Sequence, residues 1–199
     1  MVALDNMYDG VQFGKFDNGK DLTKAISKYV KCSLDDVLFL CIGTDRSTGD
    51  SYAPLIGTML KEKGYRNVIG TIDDPCHAKN LDEKIKEIPE EKTVIAIDAA
   101  LGKFKNIGKI SFNKGKLSPG AGVGKELTKV GDYSIYGTVN VGGYMEFQVL
   151  QNTRLSLVMK MAKETTLAIT KAFPLIKEES RYTYNMKNKH AFKLKRLSV

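Results

Sequence analysis

Asp36-Val-Leu-Phe-Leu-Cys-Ile-Gly43 is a continuous apolar run of strand length, opened by an aspartate and closed by a glycine. A strand with one wet face alternates apolar and polar side chains. This one does not alternate, which is how a strand covered on both faces of a parallel sheet reads. Thr93-Val-Ile-Ala-Ile-Asp98 repeats the pattern and ends on a carboxylate. Between the two lie a predicted helix over residues 51–64, a short strand over 68–72 and a helix over 81–88. In the first helix Leu55, Ile56, Met59 and Leu60 fall at helical spacing, Pro54 stands in the first turn and Gly64 caps the end. Strands separated by helices give an α/β fold of three layers, α/β/α, with a mostly parallel sheet.

Further out the pattern continues. Residues 21–30 have helical spacing through Leu22 and Ile26. Residues 107–116 contain an alternating piece that reads as half of a hairpin rather than a core strand. A last strand spans 132–140, and one long helix follows over 144–171, with Phe147, Leu150, Leu157, Met161 and Ala168 on its inner stripe. A single α/β domain over 1–174 is expected, followed by a basic extension, 175–199.

The chain has 199 residues and a formal charge of +8. Seven basic side chains against Glu178 and Glu179 put +5 of it in residues 175–199, leaving +3 for the body. No helix-turn-helix, zinc-finger or ribonucleoprotein motif accompanies that tail, so sequence-specific nucleic-acid reading is not expected. No stretch approaches the roughly 18–20 apolar residues of a membrane span. The first ten residues carry Asp5 and Asp9 and lack the regions of a signal peptide. The three cysteines, Cys32, Cys41 and Cys76, suggest neither a disulfide framework nor a zinc site. A cytoplasmic location is the expectation.

In open parallel sheets, ligands bind beyond the carboxyl ends of the strands. The first buried strand leads into Gly43-Thr-Asp-Arg-Ser-Thr-Gly-Asp50, and the other delivers Asp98, so Asp50 and Asp98 can meet at one edge, with Asp45 as a third acid. Paired acids can share a proton and divide the acid and base roles, or bind a hard metal ion. Each has a plainer reading: Asp50 as the N-cap of the next helix, Asp98 as a turn or cap residue. His77 falls on the same edge and admits a metal ligand, a proton shuttle or a structural histidine. The segment Pro119-Gly-Ala-Gly-Val-Gly124 admits a phosphate cradle or a tight turn needing positive φ, with Gly120 and Gly122 inside it.

The runs at residues 41–51, 74–80, 97–102, 118–124 and 150–158 resemble the YyaC-type sporulation proteins of spore-forming bacteria, over about residues 34–173. That family is similar to the spore germination protease and, more distantly, to hydrogenase-maturation endopeptidases. The resemblance implies a phosphorylase/hydrolase-like fold. It matches Asp50, seven positions after Gly43, and Asp98, in Val94-Ile-Ala-Ile-Asp-Ala99, to the two aspartates of the protease. Its Pro-Gly-x-Gly-Val-Gly loop is matched by residues 119–124. The endopeptidases hold nickel with two acids and a histidine after a later strand; here His77 would have to serve from another loop. The expectation is therefore a sporulation-associated, endopeptidase-like protein acting on a protein or peptide. Asp50, Asp98 and His77 are its catalytic candidates, supported by Thr44, Asp45, Asn80, Gly120 and Gly122. No cofactor is required, though Asp50, Asp98 and His77 would be the ligands of a divalent metal. The alternative is a catalytically inactive protease-fold protein with a binding or structural role. A homo-oligomer is compatible with either.

Overall fold

The computed structural model describes residues 8–120 and 127–175. Gly122 and the basic extension beyond Leu175 lie outside the described residues.

The fold is mixed α/β: a six-stranded, mostly parallel sheet flanked by helices. Its strands are β1 (Tyr8–Phe16), β2 (Val37–Cys41), β3 (Val68–Ile69), β4 (Thr93–Gly102), β5 (Ile110–Leu117) and β6 (Tyr133–Val141). The helices are α1 (Gly19–Tyr29), α2 (Tyr52–Glu62), α3 (Leu81–Lys86), α4 (Glu146–Gln151) and α5 (Leu155–Ala172). The sheet order is β1-β5-β6-β4-β2-β3. The pairings β2·β3, β2·β4 and β4·β6 are parallel, and β5 pairs antiparallel with both β1 and β6.

All five residues of β2 are buried, as its unbroken apolar run requires. On one face, α1, α2 and α5 cover Phe39, Ile95, Ile97, Ile135 and Phe112. Helix α1 begins at Asn18, whose side chain accepts a hydrogen bond from Asp21 N at 3.0 Å, and turns Leu22, Ala25 and Ile26 inward. On the other face Leu38, Leu40, Ile42, Val94 and Ala96 pack with Cys76, Leu81, Leu117 and Val130.

Three sequence expectations need correction. Residues 8–16, given no element by sequence, form the strand β1. Consequently β5 is not a peripheral hairpin arm: it lies between β1 and β6 with Ile110, Ser111, Phe112 and Asn113 all buried. The single helix over 144–171 is two helices. Thr153 Oγ1 donates back to Val149 O at 2.8 Å, and Asn140 Nδ2 donates to the same carbonyl at 3.3 Å, ending α4 over β6 before α5 sets off. Phe147, expected on the inner stripe, is 61% exposed.

One buried polar contact joins α2 to α5, Tyr52 Oη with Thr165 Oγ1 at 2.6 Å. Tyr52→Phe leaves the Thr165 hydroxyl buried without this partner and is expected to cost about 1–2 kcal/mol in urea unfolding. A change near zero would show that Thr165 finds another acceptor.

Candidate functional site

Strand β2 runs into residues 43–50, and the backbone of this loop is pinned from three sides. Gly43 N–H donates to Cys76 O at 2.7 Å, Thr44 N–H to Asp50 O at 3.2 Å, and Gly49 N–H to Leu150 O at 2.9 Å. Thr44 Oγ1 accepts from Arg46 N at 3.2 Å and faces Asp45 Oδ1 at 3.4 Å, a local turn that leaves Asp45 exposed. Asp50 then stands immediately before α2. The plain capping reading fails here: Ser51 occupies the cap position with helical φ and no side-chain cap bond, and its hydroxyl donates back to Thr48 O at 2.7 Å.

Asp98 does not end its strand. Strand β4 continues to Gly102, with Asp98 in register with Tyr136 of β6 and only 7% exposed. Its Oδ1 accepts a hydrogen bond from Ala99 N at 2.8 Å. Burial holds the Asp98 carboxyl well above the usual carboxylate range, and the Asp50 charge adds to it; the Ala99 bond acts in the opposite direction. Asp50 is raised as well, chiefly by burial, with the nearby Ser47 side chain opposing the shift. Ser47 Oγ is buried and meets no full hydrogen-bond geometry. An acid from the loop after β2 thus bears on an acid inside β4.

His77 does not join them. No hydrogen bond or ion pair links its ring to Asp50 or Asp98, and its Nδ1 is buried without a partner. Asn80 closes the loop of residues 75–80 on itself: Oδ1 accepts from His77 N at 2.8 Å, and Nδ2 donates to Pro75 O at 3.0 Å. It is a brace for the loop. Cys76 of this loop is fully buried beside Ile42 in a parallel bridge. Burial pushes its thiol up to about 12, and the Asp98 charge contributes in the same sense. Among the described residues, no three His, Cys, Asp or Glu side chains form a group able to hold a metal ion. Gly120 adopts φ +70°, the left-handed conformation of a tight turn. Asp73 and Asp74 line a separate cleft of about 340 Å³, formed with Thr58, Lys61, Glu62 and Thr71 between α2 and β3.

Sequence reading missed the polar row beside Asp98. Asp98, Tyr136 and Ser111 face each other across β4, β6 and β5, and Ser134 faces Asn113 in the row next to it. Ser111, Asn113, Ser134 and Thr138 are all buried. Asn113 Nδ2 donates to Ser134 Oγ at 3.3 Å, while Asn113 Oδ1 and Ser111 Oγ have no partner. The signal was present as the period-two polar residues of β5 and β6. Because the Ser111 hydroxyl is buried unpaired, Ser111→Ala is expected to be neutral or stabilising by up to about 1 kcal/mol. A clear loss of stability in thermal melts would show that the hydroxyl is bonded after all.

This chain is 52% identical over 131 residues to the uncharacterized protein YyaC of Bacillus subtilis (strain 168). The match takes in 63% of this chain and 64% of that protein, under two thirds of the relative's length. No solved structure matches the chain. The DUF1256 family, described as a protein of unknown function, matches over residues 14–167, from within β1 to within α5, and so spans both acids. With most of its length matched in this way, the chain belongs to the DUF1256 family.

Proposed function

We propose that the protein is an aspartate-dependent peptidase of the cytoplasm of sporulating cells, built on a phosphorylase/hydrolase-like three-layer fold related to the germination protease. The observation that carries this reading is the placement of Asp50, in the loop after β2, near enough to Asp98 of β4 for its charge to raise the Asp98 carboxyl further, with burial raising both. Their different burial divides the labour. Asp98, the more buried, keeps its proton; Asp50, nearer solvent, is the carboxylate. Asp50 takes a proton from a water as its oxygen bonds to the peptide carbonyl carbon. Asp98 gives its proton to the departing amine nitrogen as the C–N bond breaks. The products are a carboxylic acid and an amine.

The scheme needs no cofactor. His77 and Asn80 contribute through the loop they shape, whose Cys76 O accepts from Gly43 N–H and so holds the start of the Asp50 loop. A metal-assisted variant would find two carboxyls here, with no group of three His, Cys, Asp or Glu side chains among the described residues.

A second reading rests on the burial of Asp98 and its bond to the Ala99 N–H: a catalytically inactive protein that keeps the acids as scaffold or as part of a binding site. Incubating the purified full chain with unfolded casein, beside its Asp50→Asn and Asp98→Asn variants, separates the two. Cleavage by the parent and loss of it in both variants supports the peptidase; cleavage that survives both substitutions removes it.

A further inference from the structure

The exits of β4 and β6, adjacent parallel strands, carry an apolar surface that folding leaves uncovered. Gly102 pairs with Val141, and Gly142 N–H donates to Gly102 O at 3.0 Å, which brings the two following segments side by side. Phe104 is 82% exposed in a 3-10 turn, and Tyr144 80%; Met145 and Phe147 are exposed beside them. Single exposed apolar residues need no explanation, but several large ones in one place mark an interaction site.

The backbone supports the same conclusion. Met145 is the one non-glycine residue with positive φ among the described residues, at φ 48° and ψ 44°. Strain of this kind is retained where the surroundings enforce it, and it gathers at functional sites. Here it follows Gly143, at φ +118°, and turns Tyr144 and Met145 outward ahead of α4. The far end of α4 is tied to the acid loop through Gly49 N–H and Leu150 O at 2.9 Å. Six residues of helix span about 9 Å, so the exposed side chains lie within reach of a chain passing over Asp50.

Charge specifies the partner further. Lys103 and Lys105 flank Phe104, and Arg154 stands between α4 and α5; all three are exposed and make no ion pair among the described residues. The opposing Glu146 is engaged by the Gly143 N–H at 3.1 Å, and Asp45 is the remaining exposed acid of the neighbouring loop. The surface is apolar with a cationic rim.

We infer that residues 102–106 and 141–147 form the substrate-docking surface, which takes polypeptide segments with large apolar side chains flanked by acidic residues. This rests on the peptidase reading and names its substrate class.

The test uses the full chain carrying Asp50→Asn, so that nothing is cleaved, and three fluorescein-labelled synthetic peptides. One has Phe-Leu-Phe between pairs of Glu, one has Lys in place of Glu, and one has Ser in place of the apolar residues. The first is expected to bind about tenfold tighter than either of the others. The triple change Phe104→Ser, Tyr144→Ser and Phe147→Ser is expected to lose that affinity by about tenfold or more. Lys103→Glu with Lys105→Glu is expected to shift preference toward the Lys peptide; it alters only exposed residues and gives a readout even if the triple variant folds poorly. Equal binding of all three peptides, or affinities unmoved by these variants, overturns the inference. So does a dimer in sedimentation that the triple change dissolves, since the occupant is then a second copy of the chain. Patch-dependent binding without acid-dependent cleavage removes the peptidase reading alone. Acid-dependent cleavage of casein with KM unmoved by the triple change removes the docking surface alone.

Discussion

Asp98→Asn is expected to abolish peptide cleavage while stabilising the fold. In the folded protein Asp98 is nearly inaccessible, and burial together with the Asp50 charge favours its neutral form. Asparagine imitates that form. Its carbonyl can keep the bond from Ala99 N–H, and its NH2 stands as a donor where the acid carries O–H. It has no proton to give a leaving amine, so the rate should fall by about 100-fold or more.

The stability change has a definite sign and pH window. An unfolded aspartate ionises near pH ~4, whereas folded Asp98 holds its proton to a much higher pH. Below the unfolded value both states are protonated and wild type loses nothing. As pH rises from there, the unfolded chain releases a proton that the folded chain retains, so the folded state loses stability until Asp98 itself ionises, above which the loss is constant. The Asn variant escapes this loss. Its advantage in thermal melts should be smallest near pH 4 and grow toward neutral pH. A variant that melts below wild type at neutral pH, or one that still cleaves, contradicts the assignment. Asp50→Asn should also abolish cleavage and, by removing the neighbouring charge, let Asp98 ionise at a lower pH than in wild type.

Gly43→Ala is expected to be the most damaging small substitution at the site, costing about 3 kcal/mol or more. Gly43 has φ +153°, and a Cβ there would overlap the carbonyl oxygen of Asp50 and come within 2.9 Å of Pro54 Cδ. These are backbone and ring atoms held by the Thr44–Asp50 hydrogen bond and by α2, so neither can turn aside as a flexible side chain would. Relief has to come from moving the loop, which carries Asp50 away from Asp98, and cleavage should be lost together with stability. Gly64→Ala is the control. It too has positive φ, +95°, but its nearest neighbour would be Leu175 Cδ1 at 3.7 Å, so only the backbone strain remains, about 1–2 kcal/mol. Equal urea midpoints for the two variants would show that the Gly43 contact yields easily.

The parts of the fold that could be read in advance are those written in local pattern. Strand β2 and the first half of β4 are apolar runs whose meaning needs no partner, and α2 follows from Leu55, Ile56, Met59 and Leu60 with Gly64 behind them. Strand β1 could not be read this way. Its partner β5 is about a hundred residues away, and its own sequence, Tyr8-Asp-Gly-Val-Gln-Phe-Gly-Lys-Phe16, with glycines and charges among the apolar residues, gives no firm period. With β1 unseen, β5 looked like an arm at the margin, when in fact it lies inside the sheet. The helical period of residues 144–171 was real but concealed a break. Of the bonds that end α4, one is local, from Thr153, and one comes from Asn140, on the strand beneath it.

For the site, the sequence by itself determined that Asp50 closes the loop after the apolar run of β2 and that Asp98 follows a second apolar run, but it ended that strand at Asp98, whereas β4 runs on to Gly102. Only the tertiary structure decided what surrounds them. It gave the cap position of α2 to Ser51 rather than Asp50, enclosed Asp98 within β4 beside a row of buried polar residues, left the His77 ring unlinked to either acid, and turned Phe147 outward instead of inward. The physical reason is the same in each case. Periodicity shows which face of an element is apolar, but desolvation, charge coupling and coverage depend on what another part of the chain places against that face.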